Sequence, residues 1–196
     1  MLLGTQAFAQ KTVNAGYLNS TQSFSNSDSV NSNGAYAGVS FNIPIAGGLG
    51  IAPGVYYSMI TSKDGASASI LGVQVSTSST FMEHALNVPL YLNYDISLAS
   101  DTNVYIYAGP TAQYGLASTT KIAGSVGENG GNETYNNYDN DNYNRFNVYL
   151  GGGIGFKVSA FQFTVGYDYG MMNLYKGDNA VTSHRSNIKL GIGYAF

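Results

Sequence analysis

Asp95, Lys157, Asp168 and Lys189 sit well inside segments of alternating hydropathy, where charge is costly. Opposite charges in such places can pair across a protein interior or line an ion pathway. If residues 175–184 form a loop, Lys189 falls opposite Gly170 and diagonal to Asp168. The spacing therefore predicts an Asp168–Lys189 ion pair. Buried charges need partners, so its expected role is structural.

Two histidines, His84 and His184, lie beside Glu83 and Ser183. Serine, histidine and an acid together could support nucleophilic catalysis. Neighbours in an extended strand point to opposite faces, however, so Ser183 and His184 are not expected to meet. Glu128, Glu133, Asp139 and Asp141 fall in a run rich in Asn and Tyr. Carboxylates and amide oxygens suit calcium, but the spacing matches no calcium loop. A solvated contact surface is the expected reading. Gly151 to Gly155 is glycine-dense, yet no Lys-Ser/Thr closes it as in a phosphate loop. No catalytic, cofactor or metal residue is assigned.

These residues need elements to position them, and the pattern is one of strands. Alternation predicts eight, at 12–19, 35–45, 49–61, 81–96, 103–116, 145–158, 161–174 and 185–196. The connections at 44–48, 97–102 and 159–160 are short. Those at 20–34, 62–80, 117–144 and 175–184 are longer and rich in Asn, Ser, Gly and Asp. Short turns at one end and long polar loops at the other are the pattern of an outer-membrane barrel. Pro53, Pro89 and Pro110 fall inside proposed strands, which predicts β-bulges near them.

The four internal charges choose which face meets lipid. All share a parity with Asn, Gln, Gly and Thr. A lysine at the lipid midplane would cost about 2–4 kcal/mol. The aliphatic and aromatic parity therefore points outward, and the small and polar parity fills a narrow interior, with Tyr56, Tyr91, Tyr105, Tyr107 and Tyr149 helping to fill it. Phe41, Tyr94, Phe156, Phe161, Phe163, Tyr194 and Phe196 cluster near the short turns, and Tyr17, Tyr57, Tyr114 and Tyr169 lie nearer the long loops. Two aromatic girdles are the expectation.

Composition agrees. Charged residues make up 10% of 196, against about 25% in typical soluble domains. No apolar run is long enough for a membrane helix. A net charge of −3 with no basic run argues against nucleic acid as a partner. Cysteine is absent, which excludes disulfides and thiolate metal sites. Leu2, Leu3 and Ala7-Phe8-Ala9 read as the tail of a secretory signal peptide without its basic region, so residues 1–9 are set apart from the domain at 10–196.

The last nine residues alternate Ile188, Leu190, Ile192, Tyr194 and Phe196 against Lys189, Gly191, Gly193 and Ala195. This ending, with the strand count, the loop asymmetry and the Leu86–Tyr94 segment, resembles the outer-membrane β-barrel domain family. It is similar to the membrane part of outer-membrane protein A, without a wall-binding domain after the barrel. The resemblance implies an eight-stranded antiparallel up-and-down transmembrane β-barrel in the bacterial outer membrane. It also implies an assembly signal at Tyr194 and Phe196, read by the barrel-assembly machinery. The partners expected are outer-membrane lipid, that machinery and an extracellular partner of the loops. The function expected is a non-enzymatic barrel presenting long polar loops for recognition, adhesion or envelope integrity. A narrow channel for small solutes and a lipid A-modifying or proteolytic enzyme are the alternatives.

Overall fold

The computed structural model describes residues 10–25, 28–70, 73–126, 129–139, 143–176 and 182–196. The strands are β1 (Gln10–Phe24), β2 (Val30–Ala46), β3 (Leu49–Ile70), β4 (Val73–Ala99), β5 (Thr102–Val126), β6 (Asn129–Asn136), β7 (Phe146–Val158), β8 (Phe161–Gly170) and β9 (Ser183–Ala195). Eight of them form a ring. Each neighbouring pair is antiparallel, and β1 pairs with β9 to close the circle. Closure leaves no edge in the hydrocarbon, which is what a bilayer demands of strands. β6 is not in the ring. It pairs with β5 beyond the stretch that β7 occupies.

The two faces carry opposite chemistry. Outward residues such as Leu90, Val165 and Ile154 are each about half exposed, whereas Asn147 and Thr12 are buried inside. A soluble barrel that carries lipid would have the reverse arrangement. The turn at Gly47 and Gly48 has positive φ at both residues (58° and 87°), as a two-residue hairpin on twisted strands requires. Both ends of the described chain meet at this short-turn end. Phe196 donates its N–H to the Lys11 carbonyl at 2.9 Å.

The structure corrects the strand boundaries. Residues 62–80 were expected as a loop, but 62–70 and 73–80 are strand, the two arms of the β3–β4 hairpin. Much of 117–144 is likewise strand, as the end of β5 and as β6. β8 stops at Gly170, and Leu174, expected on the strand, is buried in the following connection. Above the membrane both faces of a strand meet water, so hydropathy alternation disappears although the ladder continues.

The expected bulges at the prolines are also corrected. The ladder holds one register on both sides of each proline. Ser40↔Gly54 and Ile43↔Ile51 flank Pro53, and Pro89↔Thr111 and Leu92↔Ala108 flank Pro110. Each proline lacks a partner on the preceding strand but keeps one on the following strand: Pro53↔Leu90, Pro89↔Thr111 and Pro110↔Leu150. An antiparallel residue aims both backbone groups at one neighbour. The missing N–H therefore costs bonds on one side only, and the ring stays closed. The register shifts lie elsewhere, between Pro44 and Ala46, His84 and Ala85, and Ser97 and Ala99. The second makes Leu116 an extra residue on β5. Alternation reverses there, and Ser118 becomes fully buried.

Candidate functional site: the layered lumen and its extracellular mouth

Inward side chains come from every second residue of the ring and stack in three layers. The periplasmic layer is built on Asp95 of β4 and Lys157 of β7, 2.7 Å apart. Asn93 donates to the second Asp95 oxygen at 2.8 Å. The Lys157 ammonium lies 4.6 Å from the centre of the Tyr105 ring, a cation–π geometry. Tyr105 donates to Gln162, which donates in turn to Thr12. Gly155 faces this ring, and a Cβ there would land on it, so only glycine lets Tyr105 lie flat against β7.

The middle layer holds Asp168 and Lys189, which do lie on one diagonal, but with Lys189 opposite Gly166 rather than the expected Gly170, since β8 ends at Gly170. Lys189 Nζ is 2.5 Å from Asp168 Oδ2 and donates to the Tyr91 hydroxyl at 3.0 Å. Tyr91 stands with Tyr107, ring centres 5.0 Å apart, and Tyr36 meets Tyr56 edge to face at 5.9 Å. Asn14 donates to Ser40 and to Tyr56, both at 3.1 Å. A cavity of about 130 Å³ remains, lined in part by Tyr36, Tyr56, Tyr91, Tyr107, Asn87 and Lys189. Tyr36 was overlooked in the sequence, although its inward parity on β2 marks it.

The extracellular layer was not foreseen. Arg185 of β9 forms a two-pronged bond with Glu83 of β4: Nη1 to Oε1 at 2.5 Å and Nη2 to Oε2 at 3.1 Å. Such a fork is the strong geometry for guanidinium and carboxylate. Arg185 also donates to Gln22 at 3.1 Å and to the Tyr143 hydroxyl at 2.7 Å. Tyr143 donates to Gln22 at 2.9 Å, and Gln22 donates to Ser183 at 2.8 Å. The connection from β6 to β7 thus reaches down and lays Tyr138 and Tyr143 across the mouth. Arg145 covers the Tyr138 ring at 4.5 Å. Burial pushes the Tyr143 hydroxyl up to about 12, against the downward pull of Arg185. Below this layer a chain of donors runs from Tyr149 through Gln113 and Asn87 to Ser58.

The histidines and Ser183 stand apart. His84 stacks on Tyr57 and shares a hydrogen bond with its hydroxyl. His184 stacks on Tyr169 and lies 3.1 Å from the Gly170 carbonyl. Ser183 points inward to Gln22. Of the loop carboxylates, Glu133 accepts from Tyr135 and Asp139 accepts from Asn136. Glu128, Asp141 and the signal-peptide reading of residues 1–9 lie outside the described residues. Among the described residues no three His, Cys, Asp or Glu side chains are grouped as for a metal ion. Tyr194 and Phe196 lie on the lipid-facing side with ring centres 6.5 Å apart, and Phe161 meets Tyr194 edge to face at 5.5 Å.

Comparison with known proteins places this architecture. Neisserial surface protein A is 15% identical, over 95% of this chain and 97% of that one, with a TM-score of 0.50. The attachment invasion locus protein Ail of Yersinia pestis, solved with the heparin analogue sucrose octasulfate, is 14% identical. It matches over 96% of this chain and 99% of its own, with a TM-score of 0.49. The outer membrane enzyme PagL is 9% identical over 91% and 98%, with a TM-score of 0.38. No curated protein matches the chain. The family model for the outer membrane protein beta-barrel domain matches residues 7–176. With a closed ring that is apolar outside and polar inside, the chain therefore belongs to the outer membrane protein beta-barrel domain family and resides in the lipid of the bacterial outer membrane.

Proposed function

We propose that this barrel is a non-enzymatic anchor that presents a projecting β-sheet and its loops for surface recognition, adhesion or envelope integrity. The observation that carries the reading is the continuation of β3, β4 and β5 past the ring, joined there by β6. Four strands thus stand above the membrane on a base whose mouth is crossed by Arg185, Glu83 and Tyr143. A filled lumen suits a support better than a passage. The outward, tyrosine-bound histidines and the inward Ser183 favour a role without nucleophilic chemistry. The barrel domain runs from residue 10 to 196, and residues 1–9 read as secretory signal sequence. Its C-terminal strand, through Tyr194 and Phe196, is what the barrel-assembly machinery reads.

Cells displaying the intact protein should bind their surface partner, and cells displaying a version with β3–β4 and β5–β6 trimmed to the rim should not. Equal binding by both would overturn the proposal. Lipid A from expressing and non-expressing cells should give the same mass spectrum, and an altered acyl pattern would make the barrel an enzyme. The cavity left among the middle-layer tyrosines favours a channel as the second reading. Large, stable conductance steps in planar bilayers would put that reading first.

A further inference from the structure

The sheet that stands above the rim has a face that continues the lumen wall. Inward side chains climb from Ile60 through Ser62 to Asp64 on β3, and from Glu83 through Phe81 to Ser79 on β4. On β5 they climb from Ser118 through Thr120 to Ile122, and the same two rows end on β6 at Tyr135 and Glu133. Each upper strand by itself is mostly polar. The register gathers their bulky apolar residues on this one face: Val73, Val75 and Phe81 from β4, Ile122 and Val126 from β5, and Tyr135 from β6. Ile122 is 45% exposed and Val126 57%. The opposite face, in the rows from Lys63 to Ser69, carries no Val, Ile, Leu, Phe or Tyr. The barrel below has the reverse arrangement, apolar outward.

Charge frames the apolar patch. Asp64 of β3 and Glu133 of β6 stand at the two ends of one row, with Ser79 and Ile122 between them. Both carboxylates are exposed, and neither is in a salt bridge among the described residues. Three strand spacings separate them, about 14 Å. The bulk sits on the central strands, β4 and β5. In the rows above, β3 offers Ala66 and Ala68 and β6 offers Gly131. The result is a trough with an apolar floor, low sides and an acid at each edge. An α-helix with its side chains is about 10–12 Å across, so one helix fits its width.

Resting on the reading of this sheet as a recognition surface, we propose that its inner face docks a cationic amphipathic helix of a soluble partner. The apolar stripe of that helix lies on Phe81, Ile122 and Val126, and its basic flanks meet Asp64 and Glu133. A contiguous apolar patch rimmed by polar groups is the mark of an interaction site, and a helix laid in an apolar groove is a common way to fill one. The charges choose the occupant. A second copy would bring the same carboxylates to this face, and like charges would oppose it. Lipid does not reach it, because the face turns toward the barrel axis. Tyr138 and Leu174, in the connections that follow β6 and β8, are buried at the mouth instead of covering it. The two unpaired acids also steer a cationic partner toward the trough.

The probe is a dye-labelled synthetic helix of leucine and lysine, about 18 residues and roughly 27 Å long, with its lysines flanking a leucine stripe. Fluorescence anisotropy follows its binding to the full chain in phosphatidylcholine nanodiscs, with empty discs as the reference. The helix should bind the barrel, and a scrambled peptide of the same composition should not. Ile122→Ser with Val126→Ser should weaken binding by about tenfold or more. Asp64→Asn with Glu133→Gln should weaken it by about fivefold and flatten its salt dependence. Lys63→Gln with Lys121→Gln, on the other face, should leave it unchanged. Equal binding of the scrambled peptide, or binding that survives both inner-face variants, would overturn the proposal. Pairing of two copies that Ile122→Ser with Val126→Ser abolishes would overturn it in favour of a second copy. Cells that hold their surface partner through the sheet while the helix stays unbound would sink this inference alone and leave the recognition reading standing. All substitutions lie in exposed strands above the ring, and retention of the heat-dependent gel shift verifies that each variant is folded.

Discussion

Arg185 and Glu83, 102 residues apart in sequence, grip each other across the lumen, Nη1 to Oε1 at 2.5 Å. Both side chains are 3% exposed. The pair ties β9 to β4, strands on opposite sides of the ring.

Breaking this grip one partner at a time strands a buried charge. Glu83→Ala and Arg185→Ala should each cost about 3–5 kcal/mol of stability. Replacing both residues by apolar ones of similar size, Glu83→Leu with Arg185→Met, should cost less than either single change. Urea unfolding of vesicle-embedded protein, followed by gel mobility, measures all three. A double variant weaker than both singles would show that the charges do more than satisfy each other.

Asp168 and Lys189 should behave as a unit. Asp168→Ala and Lys189→Ala each leave the other charge inside the lumen, and Tyr91 loses its cation in the second case. The double variant should be more stable than the sum of the singles predicts, by about 1–3 kcal/mol. Additive losses in the same unfolding assay would argue against coupling and for independent roles.

Alkaline pH should loosen the mouth. The Tyr143 hydroxyl is raised by burial from its ordinary value of 10.0 to about 12. The unfolded chain therefore releases this proton first as pH rises, so it binds fewer protons than the folded chain between those values. The stability from the neutral, buried phenol is present below pH 10 and is lost as pH climbs toward 12. Tyr143→Phe should remove that part of the decline in unfolding midpoint measured across this window. An unchanged slope would place Tyr143 outside the titrating set.

The C-terminal aromatics should matter more for insertion than for equilibrium stability. Phe196→Ala with Tyr194→Ala exposes no buried core, because both rings face lipid. Cells should accumulate unassembled protein, seen as loss of the heat-modifiable band, while detergent refolding in vitro proceeds. Equal assembly in cells would remove these residues from the signal.

How much of this was legible in the chain depended on where water lies. Within the membrane one face is lipid and the other lumen, so parity from Val13 to Tyr17 or from Leu190 to Tyr194 could be read directly. The same logic put Asp168 and Lys189 on one diagonal, although its register was four residues off, because the connection after Gly170 is longer than the alternation suggested and sets Lys189 opposite Gly166. Above the rim the contrast between faces vanishes, and the strands at Ser62 to Ile70 looked like a polar loop. Glu83 and Arg185 meet only because the ring closes, and no local spacing encodes a partner 102 residues away. The prolines misled because bulges are the usual remedy. Here the lost bonds all fall toward the preceding strand.

The β3–β4 hairpin is a stiff ladder for the ten residues from Thr61 to Ile70. At about 3.3 Å per residue that is a mast of roughly 30 Å. The connection between β1 and β2 spans only the short gap from Phe24 to Val30. An antibody or phage approaching a cell coated with sugar chains would thus meet the masthead first, and the opposite flank of the ring would stay in the shade of its neighbours.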